Sequence, residues 1–171
     1  MPISRPSNPP DVAEVASTFG LGRVLGLPAV AARGEMGRIW RLETATGTWA
    51  LKEVFTVEPS AVADARADAA FQELALARGI PMPRPVRALD SRVLVTVGPA
   101  ADLRSVRVYS WVDLRPRDAV APLADVAAIL GRLHAIAPPD RRAIHPWYRQ
   151  PPDSAVWPLG VLMRAVLRVG S

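Results

Sequence analysis

The sequence predicts an α+β fold, a five-stranded antiparallel sheet flanked by one long helix and followed by further helical segments. Three observations carry this. Strand-like runs at Ala29–Arg33, Arg38–Glu43 and Trp49–Phe55 follow one another across short glycine-containing turns. A helical stretch opens at Glu58-Pro59-Ser60, runs to about Ala77 and is closed by Gly79 and Pro81. Two or three more strands, around Val86–Ala88, Arg92–Val97 and Val106–Val112, precede the next helical pattern.

Residues 1–10 (MPISRPSNPP) are rich in Pro and Ser and predict a disordered or extended N-terminus. Asp11–Phe19 reads as a short helix, with Asp11 as N-cap and Gly20 as its stop. The run Gly20-Leu21-Gly22-Arg23-Val24-Leu25-Gly26 misses the G-x-G-x-x-G spacing by one residue and follows a helix. It is therefore read as a turn leading into the first strand. Gly34-Glu35-Met36-Gly37 is a tight turn between the first two strands, and Thr44–Gly47 turns into the third. A last helix, about Pro122 to Ala137, carries Leu123, Val126, Ala127, Leu130, Leu133 and His134 at helical spacing. That spacing makes His134 a packing residue, and His145 stands in a loop with no partner motif.

The 171 residues suffice for one domain with a core, or somewhat more. The 18 Pro and 11 Gly break the chain into short elements, which argues against a coiled coil. With no Cys, a disulfide framework, a Cys-based zinc site and thiol catalysis are excluded. The net charge of +5 is spread along the chain among 16 acids, so a solvated Arg-rich surface is read in preference to a nucleic-acid stripe. No secretion leader is seen and no apolar run approaches the ~20 residues of a membrane helix, so the expectation is a cytoplasmic protein.

Lys52 is the one lysine among 21 basic residues, and it stands on an apolar strand. Alternation puts Thr48, Ala50, Lys52 and Val54 on one face. A small surface at Ala50 beside a point charge suits a flat adenine whose phosphates reach Lys52. Gly34 and Gly37 would let the Gly34-Glu35-Met36-Gly37 backbone approach those phosphates, although an ordinary hairpin glycine pair explains them equally well. Glu73 lies among Ala69, Ala70, Leu76 and Ala77 on its helix. A carboxylate on so apolar a stripe needs a cation, with Lys52 the candidate, unless Glu73 is partly exposed and only snorkels to water.

These segments together resemble the N-terminal half of the aminoglycoside phosphotransferase family, which shares the protein-kinase fold and includes choline-kinase-like enzymes. The resemblance rests on G-R-I-W-R-L-E-T, W-A-L-K-E, the Glu73 helix ending in R-G-I-P-M-P-R-P, V-R-V-Y-S-W-V-D-L and L-G-R-L-H-A, in order over residues 20–150. It implies a nucleotide-binding N-lobe over 11–114, with the Glu73 helix as its αC-type helix, and an incomplete C-lobe segment over 115–171. It also implies that Lys52 holds the α- and β-phosphates of ATP and pairs with Glu73. Tyr109 would flank the adenine pocket, and the backbones of Ser110 and Val112 would face adenine as hinge groups.

The family's H-G-D-x-x-x-x-N-type loop and its I-D-type metal-binding loop are not found in these 171 residues. No catalytic residue and no metal ligand is therefore assigned, and Mg²⁺ is expected only in a complete enzyme. The apolar segment Val156–Val169 is read as a core helix of a truncated C-lobe, ahead of the alternative of an amphipathic helix on a membrane surface. The expected function is ATP-dependent phosphoryl transfer to a small hydroxylated substrate, here as a nucleotide lobe alone with weak ATP affinity. The alternative is a non-catalytic module binding a nucleotide or a partner.

Overall fold

The structure, a computed structural model, describes residues 8–55, 57–113 and 123–136. All belong to one compact unit, Met1–Pro139. His145, the 156–169 segment and the boundary placed between 114 and 115 lie outside the described residues.

Helix α1 spans Val12–Phe19. The Asp11 carboxylate accepts hydrogen bonds from the amides of Ala13 and Glu14 at 3.1 and 3.0 Å, satisfying two of the orphan donors of the first turn. Gly20 ends the helix in the left-handed conformation at φ 65°, which a glycine adopts without steric cost. Leu21 then drops into the core at 1% exposure, so this glycine segment anchors the chain rather than cradling a ligand.

Strands β1 (Ala29–Arg33), β2 (Gly37–Thr44) and β3 (Gly47–Val54) form an antiparallel meander, and helix α2 covers Ala61–Ala77. Strands β4 (Pro85–Val86), β5 (Val95–Val97) and β6 (Arg104–Ser110) complete the sheet, followed by helix α3 (Leu123–His134). All pairings are antiparallel, in the order β1-β2-β3-β6-β4, with β5 also on β6.

The sheet thus has five strand positions but six strands. Pro85–Val86 lie opposite Tyr109–Val108, and Val95–Val97 lie opposite Val106–Arg104, so β4 and β5 share one edge of β6 in succession. The predicted strands at 86–88 and 92–97 are shorter because Ala88 hydrogen-bonds to Arg92 across its own turn, around Ser91 at φ 70°. The loop so formed leaves the sheet and returns to it.

Register fixes the two faces. Trp40, Leu42, Leu51, Val106 and Val108 lie on one face and pack with Val15, Ala16 and Phe19 of α1 as the main core. On the other face Ala65 and Ala69 of α2 pack with Val54, Val93 and Leu94. Ala75, Ile80 and Ile136 bury a smaller cluster that joins α2 to α3.

The main-core face also buries charge. Glu53 is fully buried, accepts from Trp40 Nε1 at 3.0 Å and pairs with the Arg104 guanidinium at 3.3 Å. Arg104 also pairs with Asp102 at 2.8 Å and donates to the carbonyl of Asn8 at 2.7 Å. Hydrogen bonding to Asp102, reinforced by the charges of Glu53 and Asp102, outweighs desolvation and holds Arg104 above its ordinary value. Arg38, opposite Glu53 in the register, lies over the Trp40 ring at 5.0 Å.

Gly37 is required by close approach. A Cβ there would meet the Glu53 carbonyl oxygen far inside van der Waals contact, and that oxygen belongs to backbone that cannot move alone. Gly37→Ala is expected to lower stability by about 1–3 kcal/mol, the usual range for overpacking, as read from the urea midpoint. Gly34→Ala, where an added Cβ meets nothing, is the control. Equal midpoints for the two would refute this account.

Candidate functional site

A cavity of about 240 Å³ opens on the α2 face, lined by Ile39, Ala50, Lys52, Gln72, Pro83 and Tyr109. The sheet builds it. Ala50 lies opposite Tyr109 on β6 and Arg41 on β2, while Lys52 lies opposite Arg107 and Ile39. Ala50 and Lys52 are two residues apart on β3 and so share that face. Much of the lining is apolar, with the Lys52 ammonium, the Gln72 amide and the Tyr109 phenol as its polar groups. A larger cavity, about 280 Å³, lies by the 87–94 loop, but its Arg87 and Arg92 are already paired with Glu73 and Asp90.

Tyr109 is 8% exposed, and burial pushes its phenol above the ordinary value, so it is a neutral wall of the cleft at physiological pH. Arg107 lies 5.5 Å from the centre of its ring and reaches α2, donating to the Ala65 carbonyl at 3.4 Å and pairing with Asp68 at 3.3 Å. Arg107 thereby ties the cleft's floor to the helix above it.

The Lys52–Glu73 pairing is not formed. Glu73 accepts both Nε and Nη2 of Arg87 at 2.9 Å in a bidentate pair. Hydrogen bonding to Glu73 holds Arg87 above its ordinary value. Arg87 begins the loop between β4 and β5, and a rigid guanidinium fork matches a carboxylate better than a distant ammonium does. Lys52 is exposed and makes no ion pair among the described residues. The helical residue that reaches its cleft is Gln72, one position earlier.

Gln72 went unnoticed in the sequence. Ala65, Asp68, Ala69 and Gln72 recur at helical spacing along the sheet-facing side of α2, whereas Glu73 is turned about one residue away from it. That stripe was the available signal. The Oε1 of Gln72 is buried with no hydrogen-bond partner among the described residues. An acceptor so stranded costs about 1–3 kcal/mol until a donor reaches it.

The turn residues Gly34, Glu35, Met36 and Gly37 do not line the cleft. The Gly34 amide donates to the Gly37 carbonyl at 2.9 Å, and the Phe55 amide donates to the Met36 carbonyl at 3.2 Å. The hairpin reading therefore accounts for the turn without a ligand. Of the hinge groups, the Ser110 amide already donates to the Arg84 carbonyl at 2.9 Å, and Ser110 Oγ accepts from the Arg84 amide at 2.9 Å. Trp111 donates to Thr48 at 3.1 Å, while the Val112 backbone makes no hydrogen bond among the described residues. Among the described residues, no group of three or more His, Asp or Glu is placed to hold a metal ion.

Comparison with known proteins bears on the fold. No family model matches the chain, and no curated protein matches it. Among solved structures it is similar to the amicoumacin kinase hAmiN in complex with AMP-PNP, Ca²⁺ and Ami, at 17% identity and a TM-score of 0.57. That match covers 81% of this chain and 44% of the kinase. A microcompartment-associated aminopropanol kinase matches at 20% identity and a TM-score of 0.51, over 80% of this chain and 45% of that one. The fold is that of the N-terminal lobe of kinase-like proteins. The chain spans less than half the length of either neighbour, and no described helix is long and apolar enough to cross a membrane.

Proposed function

We propose that this chain is the nucleotide-binding lobe of a small-molecule phosphotransferase, with ATP as its nucleotide and Mg²⁺ joining it in a complete enzyme. The observation that carries the reading is the cleft itself. The chain's single lysine stands beside Ala50 and Tyr109 in a largely apolar cavity, on a kinase-like sheet. A base would lie against Ala50, Ile39, Pro83 and Tyr109, with its phosphates toward the ammonium of Lys52 and its edge toward the free backbone of Val112. Glu73 and the Gly34–Gly37 turn take no direct part in this arrangement. The acceptor substrate would be a small hydroxylated molecule, in keeping with neighbours that are kinases for amicoumacin and aminopropanol.

One observation favours a second reading, a non-catalytic nucleotide-binding module. Glu73 is engaged by Arg87 and leaves Lys52 without a carboxylate partner among the described residues. Both readings share the same binding step, so binding is the first test. Calorimetric titration with ATP and Mg²⁺ is expected to show 1:1 binding that Lys52→Ala weakens by about 10- to 150-fold. That range corresponds to the ~1.5–3 kcal/mol of a hydrogen bond to a charged group. Equal affinity in wild type and Lys52→Ala would remove Lys52 from the site.

A further inference from the structure

We propose that Gln72, not Glu73, is the side chain of α2 that positions Lys52 in the cleft. This deepens the nucleotide-site reading above and rests on it only for the binding arm of the test.

Three observations converge. Gln72 and Lys52 line one cavity, whereas Glu73 does not reach it. The Gln72 Oε1 is a buried acceptor with no donor, and Lys52 offers three N–H donors with no ion pair among the described residues. Glu73 has both oxygens committed to the Arg87 fork, so pairing with Lys52 would cost it that bidentate contact. The two groups share the cavity without being hydrogen-bonded in this structure, and the Gln72 amide oxygen is the acceptor that one Lys52 hydrogen would take on closing that gap, leaving the other two for phosphate oxygens.

Chemistry follows from the substitution of an amide for an acid. A carboxylate partner neutralises the lysine and holds it strongly; an amide orients it while leaving its charge intact. The cleft therefore keeps a full positive charge with which to attract a polyanionic nucleotide. Its affinity should fall more steeply with salt than that of a site whose lysine is already neutralised.

The single lysine makes this measurable in the 171-residue chain. Reductive methylation with ¹³C-formaldehyde labels Lys52 and the N-terminal amine alone, giving one lysine resonance that reports its surroundings. Gln72→Ala is expected to move that resonance and to weaken ATP–Mg²⁺ binding about tenfold. Gln72→Glu is expected to move it in a second, distinct way and to flatten the salt dependence. Glu73→Gln is expected to leave both resonance and affinity unchanged, while the amide dispersion shows each variant folded.

A Lys52 resonance that shifts in Glu73→Gln and stays fixed in Gln72→Ala would overturn the proposal. If the wild-type chain binds no ATP, the nucleotide reading fails, yet the resonance arm still decides which residue positions Lys52.

Discussion

Glu53→Ala is expected to lower the unfolding free energy by about 3–5 kcal/mol, the cost of removing one partner from a buried ion pair. Glu53 is fully buried and Arg104 is 3% exposed, so the guanidinium left behind cannot turn to water. Asp102 and Asn8 retain part of its hydrogen bonding, which argues for the lower end of the range. Trp40 Nε1 loses its acceptor at the same time, adding the cost of a stranded donor. For a domain with ~5–15 kcal/mol in total, the loss is a large fraction of all stability. Glu53→Gln keeps an acceptor for Trp40 and is expected to cost less than Glu53→Ala. Urea unfolding by tryptophan fluorescence would measure both, and a loss under about 1 kcal/mol for Glu53→Ala would show that the pair is dispensable.

That pair also marks the limit of what the sequence discloses. The strand–turn–strand–turn–strand order was legible because turn glycines and period-2 alternation are local signals, and α1 because its cap and stop are. The face shared by Ala50 and Lys52 followed from the same alternation. Glu53 was placed on the opposite face, but its partner Arg104 is fifty-one residues away, and only the finished sheet brings β3 and β6 together. The Arg87–Glu73 pair escaped for the same reason. Arg87 falls inside the predicted Val86–Ala88 strand, whereas β4 ends at Val86 and leaves Arg87 to open the following loop, and no helical periodicity could announce a cation there. Gln72 and Glu73 show the finest margin. One residue is about 100° around a helix, so assigning the acid to the cleft meant choosing chemistry over geometry.

Phosphoryl transfer by these 171 residues alone is expected to stay at the no-protein background. On the proposed reading Lys52 would hold a phosphate, but transfer also needs Mg²⁺ across the β- and γ-oxygens and a carboxylate that orients the attacking hydroxyl. The acids after α3 are Asp140 and Asp153, and neither is followed by the Asn of an H-x-D-x-x-x-x-N loop. The chain's one asparagine is Asn8, and its carbonyl and side-chain oxygen are both committed to Arg104 at 2.7 and 3.1 Å. Loss of a general base alone typically costs ~10²–10⁴-fold, and loss of the metal clamp compounds it. The measurement is mass detection of product after incubation with ATP, Mg²⁺ and a panel of aminoglycosides and amino alcohols. Phosphorylated product above background, abolished by Lys52→Ala, would mean that a base and a metal site exist among residues that carry no recognisable motif for either.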